Sequence, residues 1–172
     1  ATSVPDLTVL SAGHAPEEGR LPFLLNPFAF PEGFPLHTHI DFLRTAFVSS
    51  FGFTPPTPYL LESALLKIYE GRGWNVMLGS HPLAPDPLCY PTLDDLLQVV
   101  EEIVSAAGYD REITRNLRGA LRTRIGSLCS GPKGFSLNTS VGLSDTLLFE
   151  TPLVVELADF GADDEKAFVM SL

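Results

Sequence analysis

The stretch YDREITRNLRGALRTRIGSLCSGPKG, residues 109–134, is the segment from which the fold is predicted. On an ideal helix of about 100° per residue, its apolar side chains share one side, which predicts an amphipathic helix. Those apolar residues are Ile113, Leu117, Ala120, Leu121, Ile125 and Leu128. A basic stripe falls within about 60° on the other side. It consists of Arg111, Arg115, Arg118 and Arg122.

This helix is the basic exception in an acidic chain. Residues 111–133 contain six basic residues and one acid, Glu112, so they carry +5, and the remainder carries −15 of the formal net charge of −10. That net charge argues against binding nucleic acid through the whole surface. We expect the stripe to be a solvated face. The alternatives are a local contact with DNA or with a protein partner.

Arg124 departs from the pattern, because its helical angle places it in the apolar face near Leu117 and Ala120. An unpaired buried charge is costly, so Arg124 is expected to pair with a carboxylate or to reach across a subunit or ligand interface. The simplest interpretation is a snorkelling or locally paired arginine, whose aliphatic part lies along the apolar face while its guanidinium stays in water or pairs with a neighbour. Glu101 and Glu102, on the preceding predicted helix, are the nearest candidate partners for an arginine in this segment.

Three further helices are predicted before the basic one. The first begins at Thr38 with a capping box to Asp41 and ends at Gly52. The second is capped by Thr57 and closes at Gly71. The third begins at Thr92 and stops at Gly108. These starts and stops follow the preference of helix ends for hydroxyl residues and glycine.

The predicted strands are short and few. Three weak candidates are residues 7–10, 23–25 and 135–137, and residues 146–149 form another short apolar stretch. The best candidate is residues 153–157, whose continuous apolar run predicts a central strand. Acids at 163–165 then predict a solvated helix start. The predicted fold class is mainly α with a few short strands.

No self-contained catalytic site is visible in the sequence, and no site residue is predicted to be catalytic. A phosphate loop, GxxxxGK[ST], is missing. His37 and His39 diverge at a helix entrance, and Asp163, Asp164 and Glu165 read as a solvated helix start, so no metal site is predicted. Cys89 and Cys129 have no neighbouring base, and we expect two structural thiols.

Several features indicate the setting of the chain. No apolar run approaches the roughly 20 residues that span a bilayer, and no signal peptide opens the chain. Two isolated cysteines suit a reducing compartment, so a cytoplasmic protein without membrane contact is expected. The chain starts without Met and ends in an uncapped helix, which leads us to expect a section of a longer protein.

Several stretches, in their order along the chain, resemble the HerA-like branch of the P-loop ATPases, which are FtsK-related hexameric DNA motors. They are LNPFAFPEG at 25–33, His39 opening a helix, LLESALLKIYEGRGW at 60–74, YPTLDDLLQVV at 90–100, NLRGALRTRIGSLCSGPKG at 116–134 and TPLVVELADFGADDEKAFVMSL at 151–172. Together they cover nearly the whole chain. None is as diagnostic as a Walker motif, and their order carries the resemblance.

The resemblance implies that this chain lies between the phosphate loop and the Walker B strand of a DNA translocase. Residues 1–37 would be an extended arm and the edge of a RecA-like core, 38–149 a helical subdomain, and 150–172 a core strand with the start of the next helix. ATP and Mg²⁺ would bind in the parent protein and no cofactor in this chain. Glu156 is not assigned to Walker B, because that strand would follow later.

The resemblance also implies a parent that forms a homo-hexamer on DNA, whereas this chain alone is expected to be an inactive monomer. Arg124 follows GAL in the family pattern, which makes it the candidate for an ion pair or an inter-subunit contact. The alternative from another class is a stand-alone acidic helical module that binds a protein partner, with no link to ATP.

Overall fold

The computed structural model describes residues 7–12, 21–158 and 160–172. The strands are β1 (Thr8–Ser11), β2 (Leu21–Pro22) and β3 (Leu153–Glu156). The helices are α1 (Leu36–Phe51), α2 (Thr57–Gly71), α3 (Leu93–Ala106), α4 (Arg111–Leu128), α5 (Gly131–Leu137), α6 (Asp145–Glu150) and α7 (Asp163–Ser171). A 3₁₀ turn at Pro87–Cys89 lies between α2 and α3. The chain is therefore mainly α with a small α/β part, which confirms the predicted fold class.

The three strands form one parallel sheet in the order β2-β1-β3. In this sheet Ser11 pairs with both Pro22 and Glu156. After β2 the chain passes through helices α1 to α6 before it returns to the other edge of β1 as β3, which gives the long crossover that the parallel β1–β3 pair requires. Within the described residues β1 is the central strand and β3 an edge strand with Val154 exposed, so the prediction of a central strand at 153–157 is wrong for this sheet.

The second strand is also shorter and earlier than predicted. Residues 23–25 were expected as a strand, but β2 ends at Pro22. Phe23 still donates its N–H to Ser11 O at 3.0 Å, whereas Leu25 donates to Ser136 O at 2.8 Å. The backbone therefore leaves the sheet after Phe23 and runs toward α5.

The four long helices pack in sequence order, α1 on α2, α2 on α3 and α3 on α4. α1 also packs against α7, where the ring of Phe168 lies 4.4 Å from that of Phe47 and 5.7 Å from that of Phe51, centroid to centroid. Since the buried apolar residues of the sheet, the long helices and α7 belong to one cluster, sheet and helices share a single core.

The ends of the long helices follow the sequence signals except at the starts of α1 and α2. The predicted cap of α2 at Thr57 is wrong, because Thr57 is the first helical residue and Pro56 takes the cap position without a side-chain hydrogen bond. Gly52, at φ 63°, ends α1, and Thr92 caps α3 with Asp95 at the third helical position. The predicted capping box at Thr38 is wrong, because α1 begins two residues earlier, at Leu36 directly after Pro35. Proline fixes φ near −65°, and here Pro35 takes the position before the first helical residue without a side-chain cap.

The segment after α4 is helical, and the strand predicted at residues 135–137 is wrong. Pro132 lies in the first turn of α5, where its missing N–H costs nothing. A Cβ added to Gly134 would lie 2.1 Å from Cys129 O, so glycine allows α5 to fold closely against the end of α4. The apolar stretch at 146–149 lies in α6. None of the described helices has the length and apolar character needed to cross a membrane.

Candidate functional site

Two arginines of the basic stripe are held against α3. Arg118 Nη2 donates to Ser105 Oγ at 2.9 Å, and Arg122 forms an ion pair with Glu101. Arg118 is half-buried, and its Nε atom has no hydrogen-bond partner among the described residues. These contacts brace α4 against its neighbour, so this half of the stripe is not a freely solvated face. The expectation that Glu101 would serve as a partner for an arginine is confirmed.

The other two arginines of the stripe point into solvent. Arg111 and Arg115 lie in the first two turns of α4 and are exposed. Neither forms an ion pair or a side-chain hydrogen bond with any residue the structure describes. Both guanidinium groups are consequently available to an anionic partner such as a phosphate or a carboxylate.

Arg124 is exposed, which corrects its predicted place in a buried apolar face. The buried side of α4 is formed by Leu121, Ile125 and Leu128. Ile113 and Ala120 are exposed and do not belong to this buried side. Without them, at about 100° per residue, the middle of the buried side lies roughly 70° around the helix from Arg124. No carboxylate of the described residues pairs with Arg124, and the expected contact across an interface remains a prediction.

A buried ion pair joins α5 to α7. Lys133 Nζ lies 2.5 Å from Glu165 Oε1, and the Glu165 side chain is almost fully buried. Its other oxygen, Oε2, has no hydrogen-bond partner within the described part of the chain. The expectation that residues 163–165 are only a solvated helix start is therefore wrong for Glu165. Its spacing of three and four residues from Phe168 and Val169 places all three on one face of α7.

The segment LNPFAFPEG at 25–33 is fixed to the helices by buried hydrogen bonds. Tyr69 Oη donates to Phe28 O at 2.6 Å, and Asn26 Nδ2 donates to Pro91 O at 3.0 Å. His39 Nε2 lies 3.1 Å from Pro27 O. Burial lowers the pKa of His39 to about 4, against the opposing effect of the Pro27 carbonyl, so the imidazole is neutral at pH 7 and donates from Nε2.

An open groove of about 940 Å³ runs beside this segment. Its walls are mostly aromatic and aliphatic, and Phe30 sits at the centre of a ring cluster. The other rings of that cluster are Phe34, His39, Tyr69, Trp74 and Tyr90. Among the described residues that line the groove, Glu32 is the one with a charged side chain. The groove therefore suits an apolar group and does not suit the phosphates of a nucleotide.

The remaining reactive groups do not converge. Cys89 and Cys129 are free thiols, and burial, followed by the Asp94 carboxylate, raises the pKa of Cys129 to about 12. A thiol with so high a pKa is a poor nucleophile at neutral pH. Among residues 7–12, 21–158 and 160–172, no three His, Cys, Asp or Glu side chains are grouped so as to hold a metal ion.

A known protein structure contains a similar architecture. No protein-family model and no curated protein matches the sequence. Among solved structures, VirB4 of Thermoanaerobacter pseudethanolicus superposes with a TM-score of 0.59 at 20% sequence identity. The chain shares its fold with part of VirB4. The similarity covers 95% of this chain and 41% of the VirB4 chain, so this chain spans less than half the length of that relative.

Sequence reasoning missed the groups that join separate elements of the site. Lys133 and Glu165 lie 32 residues apart in the sequence. The only sequence feature that indicates a buried Glu165 is its helical spacing with Phe168. Arg118 was assigned to a solvated stripe although Ser105 lies within hydrogen-bond distance in the structure. Neither pairing follows from the periodicity of one helix alone.

Proposed function

We propose that this chain is the section of a HerA-like, FtsK-related P-loop ATPase between its phosphate loop and its Walker B strand. The observation that supports this most directly is the fold shared with VirB4 over 95% of the chain. VirB4 is a P-loop ATPase of the FtsK/HerA-like type. The order of the resembling sequence stretches, from LNPFAFPEG to TPLVVELADFG, points to the same family.

In this proposal the chain contributes support and contacts, and the parent protein carries the chemistry. Residues 1–37 and 150–172 belong to a RecA-like core, a division supported by the parallel pairing of β1 with β3. Residues 38–149 form the helical subdomain. ATP and Mg²⁺ bind to groups of the parent outside this chain, since the sequence contains no GxxxxGK[ST] motif. The parent acts in the cytoplasm as a homo-hexamer that moves DNA.

Arg111 and Arg115 are the residues of this chain that we assign to DNA. They are exposed and unpaired within the described residues, and they lie in the one segment with a strong positive charge. Guanidinium groups bind phosphates without reading sequence, as a translocase requires. Arg118 and Arg122 are left out of this role because α3 already engages them.

The experiment that tests the proposal is the size and activity of the native polypeptide. An antibody raised against this chain should detect a protein several-fold larger than 18.7 kDa in the source cells. That longer protein should hydrolyse ATP, and this chain alone should not. A native protein near 18.7 kDa would contradict the ATPase assignment, because the sequence itself has no phosphate loop.

A stand-alone acidic module that binds a protein partner is the second candidate. The observation that favours it is a group of exposed aliphatic side chains, Met77, Leu78, Leu83 and Leu88, in the connection between α2 and α3. Exposed apolar groups of this kind are typical of protein interfaces. Detection of a native protein near 18.7 kDa would select this candidate over the ATPase.

A further inference from the structure

The connection between α2 and α3 presents aliphatic side chains to solvent. We call residues 75–88 the α2–α3 loop. Met77 is 88% exposed and Leu78 is 74% exposed, and Leu83 and Leu88 are also exposed. Leaving so many large aliphatic side chains in water within 14 residues is unfavourable, since each forgoes roughly 1.5–3 kcal/mol of burial. Such a surface is expected to be covered when its partner is present.

The loop is held rigidly by its own hydrogen bonds. Asn75 N donates to Ser80 O at 2.9 Å, and Leu78 N donates to Asn75 Oδ1 at 3.0 Å. Further along, Asp86 N donates to Leu83 O at 2.8 Å. The indole of Trp74 anchors the base through a 2.8 Å bond from Nε1 to Cys89 O. A preordered surface loses little conformational entropy on binding.

Charge on the loop is restricted to one residue. Asp86 is the only acid in residues 73–91, and that range contains no Lys or Arg. Because the loop lacks cations and the chain carries a net charge of −10, both nucleic acid and anionic lipid are disfavoured as partners. A protein surface that is apolar and carries one cation complements this loop in both respects.

This chain itself contains such a surface on α4. The side of α4 away from the basic stripe carries Ile113, Leu117, Ala120 and Arg124, and we call it the outer flank of α4. Ile113 is 43% exposed, Ala120 and Arg124 are exposed, and Leu117 is half-buried. These four residues fall within about 60° on an ideal helix. The outer flank therefore combines apolar area with one unpaired cation.

We propose that the outer flank of α4 docks the α2–α3 loop of a second copy of this chain, with Arg124 paired to Asp86 of that copy. Two different surfaces meet in such a contact, and in its head-to-tail form the contact repeats from copy to copy. This inference rests on the proposed function, because it names a contact surface between subunits of the proposed homo-oligomer. It also replaces the expectation that this chain alone is a monomer. The cation contributes specificity, and the apolar side chains contribute the buried area.

The experiment measures self-association of the whole chain by sedimentation velocity over a range of about 10 to 500 µM, where weak contacts become populated. Arg124→Glu should weaken association about tenfold or more, since it places two acids opposite each other. Asp86→Arg should do the same by placing two arginines together. Asp86 Oδ1 also accepts the Leu88 N–H, so Leu78→Lys is the second loop variant, which leaves the hydrogen bonds of the loop in place.

Mixing the variants is the decisive step. A 1:1 mixture of Arg124→Glu and Leu78→Lys chains should associate more strongly than either variant alone, because the intact outer flank of the Leu78→Lys chain can dock the intact α2–α3 loop of the Arg124→Glu chain. Arg115→Glu, on the opposite flank of the same helix, is the matched control and should associate like the unmodified chain. A chain that stays monomeric throughout, or variants that associate unchanged, would overturn the inference. An active, longer ATPase with a monomeric chain would overturn only this contact and not the proposed function.

Discussion

His39 is buried and neutral, and this makes the stability of the chain depend on pH. Its pKa is lowered from 6.5 to about 4, first by burial, with the Pro27 carbonyl acting in the opposite direction. Between these two values the unfolded chain binds more protons than the folded chain. Stability therefore falls as the pH drops from 6.5 toward 4, and this contribution is fully present above pH 6.5.

We expect the protonation of His39 to cost up to about 3 kcal/mol of folding free energy at pH 4 relative to pH 7. Urea denaturation at several pH values measures it. His39→Gln should lose this part of the pH dependence, whereas the matched change at exposed His37 should keep it. An identical pH profile for His39→Gln and the unmodified chain would argue against a buried neutral imidazole.

Gly134 is required by the close approach of α5 to the end of α4. A Cβ on this residue would lie 2.1 Å from Cys129 O, far inside contact distance. Gly134→Ala should therefore destabilise the chain by about 2 kcal/mol or more. Gly119 is the matched control, because it lies in exposed α4 with no atom near its Cβ position. Gly119→Ala should stabilise by up to about 1 kcal/mol, and thermal denaturation of both variants distinguishes the two effects.

At the scale of the elements, the Lys133–Glu165 pair ties α5 to α7. Glu165 is nearly fully buried, so removing its partner leaves a charge without compensation. Lys133→Met should cost about 3 kcal/mol, and adding Glu165→Met should recover most of that loss. The exposed pair Lys67–Glu102 supplies the control, since Lys67→Met should cost less than about 1 kcal/mol. Equal losses from the two lysine substitutions, measured by urea denaturation, would show that burial of Glu165 has no energetic effect.

The elements that could be predicted from the sequence are those with enough length for a periodic pattern. The helices α1 to α4 each contain 14 to 18 residues, and their apolar spacing identified them. The α5 helix has seven residues, and the apolar Phe135 and Leu137 alternate around Ser136 as in a strand. The local sequence pattern could not distinguish a helix from a strand here, because the closeness of Gly134 to Cys129 is a property of the packed structure.

The candidate site was predictable in composition but not in orientation. The sequence identified a basic amphipathic helix, and α4 is that helix. Which arginines are free depends on how α4 rotates against α3, and that rotation follows from contacts such as Arg122 with Glu101. Arg124 lies outside the buried face because nothing covers Ile113 and Ala120 in the described part of the chain. A prediction from periodicity alone treats all apolar residues of α4 as equally buried, so it placed the buried face of α4 too close to Arg124.

At the scale of the whole molecule, the separation of charge determines how the chain meets DNA. A net charge of −10 repels phosphate, whereas residues 111–133 carry +5. We expect weak, salt-dependent binding to duplex DNA, measured by fluorescence anisotropy. Arg111→Glu with Arg115→Glu should abolish it, and each lost phosphate contact should reduce the salt slope by roughly one.

The control for DNA binding is Arg124→Glu, because it changes the total charge as much as either single substitution but lies on the other flank of α4. Compared with Arg115→Glu alone, it should reduce affinity only slightly. Equal losses from Arg115→Glu and Arg124→Glu would mean that DNA responds to net charge alone and not to the exposed pair at the start of α4.

The parallel sheet has a consequence for the order of events during synthesis. Strand β1 lies between β2 and β3, yet Ser11 and Glu156, which share a hydrogen bond, are 145 residues apart. At roughly 5–20 residues per second, the ribosome releases β1 on the order of ten seconds before β3 exists. One edge of β1 therefore waits unpaired while α1 to α6 emerge and fold. The pairing of β1 with β3 therefore forms only after the helices between β2 and β3 have been synthesised.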